Sequence, residues 1–139
     1  MRILAIAGLL FFSLAGCSKV TPDVCMDKAA KDAAGKFMSS AAKFIGDNSA
    51  DVAENQGFEL VEPINSNVNI EGFIVKSLDK DSGSAQCAFN VYLDLSNGKG
   101  KHFKSDGLVR FSTFMSDKGR GYSYEKEDLL PIIQSLHDK

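Results

Sequence analysis

Cys87-Ala88-Phe89-Asn90-Val91-Tyr92-Leu93-Asp94-Leu95 is the stretch that decides the fold of this chain. Cys87, Phe89, Val91, Leu93 and Leu95 point one way; Ala88, Asn90, Tyr92 and Asp94 point the other. Apolar residues at every second position are the mark of a β-strand. One apolar side and one mostly polar side predict a sheet with one buried face and one wet face, the usual condition of an antiparallel sheet.

Turn signals flank this strand. Asp79-Lys80-Asp81-Ser82-Gly83 precedes it and Asn97-Gly98-Lys99-Gly100 comes after it, and both read as hairpin loops. Upstream, Val68 to Leu78 reads as a longer strand, with Gly72 near its middle where a bulge would fall. Pro63 to Asn67 reads as a turn, and Phe58 to Val61 as a short strand. Downstream, Gly107 to Met115 reads as a strand with Val109, Phe111 and Met115 on one face. Asp117 to Gly121 turns again, and Tyr122 to Tyr124 pairs back.

Both flanks of this meander read as helical. Thr21 is the expected N-cap, Pro22 the first helical residue, and Asp23 favours the helix dipole. Met26, Ala30, Ala33, Phe37, Ala41 and Phe44 recur at steps of three and four, one helical stripe, with Gly46 as the expected stop. Asp47 to Gln56 is polar and turn-rich. At the far end, Asp128 is placed to cap a helix through Leu136, with Leu129, Ile132, Ile133 and Leu136 on its apolar side; Pro131 in the first turn is tolerated. The order predicts an α+β fold: an N-terminal helix packed on an antiparallel meander of four to five strands, then a short C-terminal helix.

The first residues carry a different message. Arg2 is followed by an almost wholly apolar run from Ile3 to Leu14, and small residues then lead into Leu14-Ala15-Gly16-Cys17. That layout belongs to a secretory signal, and the final four residues resemble the lipobox of bacterial lipoprotein precursors. The run is too short to span a bilayer, which takes about 20 apolar residues. The resemblance implies a signal peptide over residues 1–16, cleavage before Cys17, and lipid attachment to the Cys17 thiol. Ser18 after the lipidated cysteine implies an outer-membrane anchor facing the periplasm. Residues 17–21 would then be the lipidated tether, reaching at most about 14 Å when extended, and residues 22–139 a single α+β domain. In that oxidising compartment the other two cysteines, Cys25 and Cys87, are expected to form a disulfide, since two cysteines allow one pairing.

Composition narrows the partners. Removal of residues 1–16 leaves 123 of the 139 residues, the size of one domain, and loss of Arg2 takes the net charge from −2 to −3. Such a balance carries no footprint for nucleic acid. The two histidines, His102 and His137, have no Cys or His at metal-ligand spacing, and no serine sits in a nucleophile elbow. Neither a catalytic site nor a metal or cofactor is expected. Asp79-Lys80-Asp81 lacks the further ligands of a calcium loop, and Gly98-Lys99-Gly100-Lys101 lacks the Ser/Thr and helix of a phosphate loop. Lys99, Lys101, His102 and Lys104 form a basic cluster at one end of the sheet; Lys118 and Arg120 lie at the other.

Aromatic residues suggest a surface instead. Phe103, Phe114, Tyr122 and Tyr124 would leave an apolar binding patch if they lie away from the long helix; otherwise the C-terminal helix covers them. The expected function is a non-enzymatic binding or accessory domain, held at the membrane through Cys17 and contacting another envelope protein. The alternative is a carrier of a small apolar ligand, with a pocket between helix and sheet where the alanine stripe leaves room.

Overall fold

The computed structural model describes residues 22–138. The expected signal peptide, the expected lipid attachment at Cys17 and the whole of the expected tether, residues 17–21, lie outside those residues. The described chain has the expected α+β arrangement: helix, antiparallel meander, short helix.

The chain enters through a 3-10 turn, Pro22–Cys25. Helix α1 spans Lys28–Ser40. Its N-cap is Asp27, six residues later than the expected Thr21, and the Asp27 carboxylate accepts from the Ala30 N–H at 2.9 Å. The turn comes first because Cys25 is already committed to a tertiary bond. Helix α2 spans Ala42–Asn55. The two helices break at Ala41, just after the Ser39-Ser40 pair. There the Ser40 hydroxyl donates to the Phe37 carbonyl at 2.8 Å, competing with the helical ladder.

Two expectations for this region are corrected. Gly46 does not end the helix. The stop is Gly57, at φ +82°, where the Gly57 N–H reaches the Glu54 carbonyl and the Phe58 N–H reaches that of Ala53. This pair of bonds is a Schellman cap, which needs a left-handed residue. Hence Asp47 to Asn55, polar as it is, forms the last turns of a helix, with Ser49 and Ala53 buried. The buried stripe is also rotated from the expected one. It runs Ala30, Ala34, Met38, Ala41, Ile45, Ser49 and Ala53, whereas Met26 is exposed and Phe37 and Phe44 sit half-buried at the rim. Small residues let the helix approach the sheet closely, and the bulky rings fit only beside the contact. There Phe37 stacks on Tyr124 at 4.6 Å and Phe44 receives the Lys126 ammonium at 4.8 Å.

The sheet runs β1 (Asn65–Asp79), β2 (Ser84–Ser96), β3 (His102–Ser116) and β4 (Gly119–Tyr124), in that order and all antiparallel. The expected strand at Phe58–Val61 is absent: these residues have no strand partner, and β1 instead starts inside the expected turn, at Asn65. Asn65 to Asn67 look turn-like alone but continue the ladder opposite Ser96 to Asp94. Gly72, at φ +67°, sits in a register shift between Glu71 and Ile74, the bulge that a mid-strand glycine signals. The strand β3 is five residues longer at its start than expected, so His102 is a strand residue and not a loop residue.

The inner face of the sheet buries Cys87, Phe89, Val91, Leu93 and Leu95 of β2, and Phe103, Val109, Phe111 and Thr113 of β3. Cys25 and Cys87 are joined, sulfur to sulfur at 1.97 Å, tying the entry turn to the central strand. Aromatic rings continue the core: Phe73 lies 5.1 Å from Phe89, Phe89 lies 5.8 Å from Phe111, and Phe111 stacks on Tyr124 at 5.2 Å.

Helix α3, Leu129–Gln134, lies on the same inner face and is shorter than expected. It fits because β3 has a glycine below it: a Cβ on Gly107 would come within 2.6 Å of Ile132 Cγ1. A two-residue strand, β5 (His137–Asp138), then pairs with Phe103 and Lys104 of β3. Asp128 precedes α3 but makes no side-chain cap. Its carboxylate is held by Arg110 of β3, from the backbone N–H at 2.9 Å and from Nε and Nη2, each at 2.8 Å. A bidentate arginine that also brings its own N–H outcompetes a cap.

The Arg110 hydrogen bond holds the Asp128 carboxyl below the usual carboxylate range, against the opposing effect of burial. Asp128 therefore binds its proton less readily when folded than when unfolded. Its contribution to stability is present above the unfolded value of about 4 and is lost as pH falls through the lower folded value. Urea unfolding followed across the acid range is expected to show stability declining below about pH 4, and Asp128→Asn to flatten that decline. A decline of equal steepness in the variant would assign the effect to other carboxylates.

Candidate functional site

The inner face is closed by three helices, and the sequence-predicted surface residues divide between the two faces. Phe103 is 4 % exposed and packs against Phe58 at 4.3 Å. Tyr122 and Tyr124 pair with Thr113 and Phe111 on the inner face, where their hydroxyl oxygens are buried without a hydrogen-bond partner among the described residues. Burial raises the pKa of both tyrosines above the ordinary phenol value. These three residues belong to the core and its rim. Only Phe114, 42 % exposed, lies on the outer face, and its ring covers Gly121 of β4, where an added Cβ would meet Cζ at 2.5 Å. A strand alternation gives two faces but not which neighbour each will meet, so single-strand reasoning could not sort these aromatics.

The outer face has two halves, set by strand register. In one, Ile74 of β1, Ala88 of β2 and Arg110 of β3 stand in a row, with Leu108 and Phe114 on either side along β3. Ile74 and Leu108 are each 43 % exposed. The other half is polar. Asn69, Tyr92 and Asp106 form one row across β1, β2 and β3; Asn67, Asp94, Lys104 and His137 form the next, reaching β5. These two rows line a concavity of about 640 Å³ open to solvent. Within it Asp94 receives His102 Nδ1 at 2.8 Å and faces Lys104 Nζ at 4.0 Å. The side chains of Asn67, Asn69, Tyr92 and Asp106 make no hydrogen bond among the described residues.

Part of this site is legible in the sequence. Alternation along β2 places Tyr92 and Asp94 on the wet face, whereas Asn67 reads as a turn residue and His102 as a loop residue. The bulge at Gly72 could align Asn67 and Asn69 with Tyr92 and Asp94 only once the start of β1 is known. The expected basic cluster is largely neutralised. Lys99 pairs with Glu59 at 2.7 Å, and His102 and Lys104 share Asp94. Lys99 holds the Glu59 carboxyl below its ordinary pKa.

Between helix and sheet, the space beside Ile45, Ser49, Val68 and Leu136 amounts to about 10 Å³, scarcely room for one water. Among the described residues, no three His, Cys, Asp or Glu side chains are grouped to hold a metal ion, and no helix is long and apolar enough to cross a membrane. The arrangement presents hydrogen-bonding groups and apolar area on a rigid sheet. The class it defines is a disulfide-tied, helix-covered antiparallel meander with an uncovered outer face. No protein-family model, no curated protein and no solved structure matches this chain.

Proposed function

We propose that the protein is a lipoprotein of the bacterial cell envelope. It is anchored through lipid on Cys17, held on the outer membrane facing the periplasm, and its domain binds another envelope protein without catalysing a reaction. The observation that carries the binding reading is the asymmetry of the sheet. One face is sealed by helices, and the other leaves Ile74, Leu108 and Phe114 exposed along the half that carries Arg110. Apolar area with arginine at hand is the composition of interface centres. Against the carrier alternative, the space under α2 is about 10 Å³, and the hollow of about 470 Å³ between Lys31 of α1 and Ile70 to Phe73 of β1 is an open cleft at the sheet edge, not the enclosed pocket a carried ligand fills.

The anchor is tested with radioactive palmitate. Wild-type protein is expected to take up label and Cys17→Ala to take up none; equal label in both sinks the anchor. The surface is tested by site-specific photo-crosslinking in cells, from positions 108 and 114 on the outer face and from position 99 as a control. A discrete cross-linked protein from the first two positions, absent from the third, is the expected result. Leu108→Ala with Phe114→Ala should then weaken binding of that protein by about tenfold or more. Because Tyr122 and Tyr124 lie on the inner face, their replacement tests stability and not binding. The double change of His102 and His137 to alanine should leave partner binding within about twofold, as rim charges contribute little.

A further inference from the structure

We propose that the polar half of the outer face binds a neutral glycan chain, a second binding activity that does not depend on the protein contact at the apolar half. A sugar ring presents one face of C–H bonds and a rim of hydroxyls. Recognition therefore takes an aromatic face, which packs on the C–H bonds, and planar amides or carboxylates, which pair with neighbouring hydroxyls. Tyr92 supplies the ring at the centre of the concavity, 37 % exposed. Directly across from it stand Asn69 on one side and Asp106 on the other. One row along, Asn67, Asp94 and Lys104 add an amide, a carboxylate and an ammonium group. All six are on strands, so their spacing is held before any ligand arrives, which lowers the entropy cost of binding.

Shape and charge select the ligand further. The concavity is open and about 640 Å³, so it admits a chain passing across the strands and does not enclose a small molecule. Asp94 is hydrogen-bonded to His102 and faces the Lys104 ammonium, whereas Asp106 has no ion pair among the described residues. An unpaired carboxylate beside Tyr92 repels phosphate and sulfate groups and accepts hydroxyls, which favours an uncharged sugar segment over a polyanion.

Two sources of such a chain are separated by the choice of probe. Full-length protein in detergent is titrated with N-acetylglucosamine oligomers, the uncharged part of a peptidoglycan backbone, and separately with a lipid-free O-polysaccharide built of neutral sugars. Heparin and polylysine serve as charged controls. Binding to either glycan, little changed by salt, is expected; the glycan that binds names the source. Tyr92→Ala and Asp106→Ala should each weaken it by about tenfold or more, while Leu108→Ala leaves it unchanged. Circular dichroism of each variant verifies folding, and Tyr92→Phe, which keeps the ring, should retain most of the binding. Failure of both glycans to bind, or binding that survives both Tyr92→Ala and Asp106→Ala, overturns the proposal. Binding to polylysine alone overturns it in favour of a basic peptide, and binding to heparin alone in favour of a polyanion.

Discussion

Replacing Cys25 and Cys87 together by alanine lowers the unfolding free energy by about 4 kcal/mol, measured by urea or guanidinium denaturation of the oxidised protein against the variant. The bond closes a loop with a sequence separation of 62, and in the chain-entropy model a cross-link of that span removes about 4 kcal/mol of freedom from the unfolded chain. Domains of this size are stable by only about 5–15 kcal/mol, so the loss is a large share of the total. Both cysteines are fully buried between the entry turn and β2. Reductant should therefore act slowly on the native protein and quickly in denaturant, and the thiols freed in denaturant should number two. A variant as stable as the parent would show that the entry turn is held by packing alone.

Phe89→Ala is expected to cost about 3–5 kcal/mol, read from the same denaturation curves. Phe89 is fully buried at the centre of the sheet, with Phe73, Phe111 and Tyr124 around it at 5.1, 5.8 and 6.4 Å between ring centroids. Its removal leaves a cavity that the neighbours cannot readily fill. Cys87, two positions away on the same face, is tied to Cys25 and limits any shift of β2 toward the helices. Phe114→Ala, on the outer face of the same sheet, is expected to cost no more than about 1 kcal/mol. The contrast between the two phenylalanines separates core packing from surface cover. A small loss at Phe89 would mean that the rings close over the gap.

The β-meander was the part of the fold most open to sequence reading. Alternation along Cys87–Leu95 reports burial directly, because side chains on a strand take opposite faces whatever lies beyond. Hairpin glycines such as Gly83, at φ +73°, report turn geometry just as directly. The helical region was less open. Polar Asp47 to Asn55 reads as loop because its composition is turn-like, yet its burial at Ser49 and Ala53 continues the helical stripe. Phe58 to Val61 has strand-like residues, but a strand exists only where another strand pairs with it, and here the turn at Asn97-Gly98 donates to the Glu59 and Val61 carbonyls instead.

The candidate site divides in the same way. Chemistry-bearing residues scattered over β1, β2, β3 and β5 become neighbours through register, a property of pairs of strands and not of any one of them. Asn69, Tyr92 and Asp106 are far apart in the chain and share one row across the sheet. Likewise, Arg110 takes Asp128 from its expected capping role because folding brings β3 beside the start of α3.

By itself, the amino-acid sequence determined the period-two strand, the hairpins around it, the helical flanks and the resemblance of the N-terminal residues to a lipoprotein signal, because each is a local pattern of side chains and backbone preference. Tertiary structure alone decided that Phe103, Tyr122 and Tyr124 lie inward while Phe114 stays outside. It decided too that the wet face gathers a polar concavity, because these outcomes depend on which strand pairs with which, and on the helices filling one face before any ligand or partner can reach it.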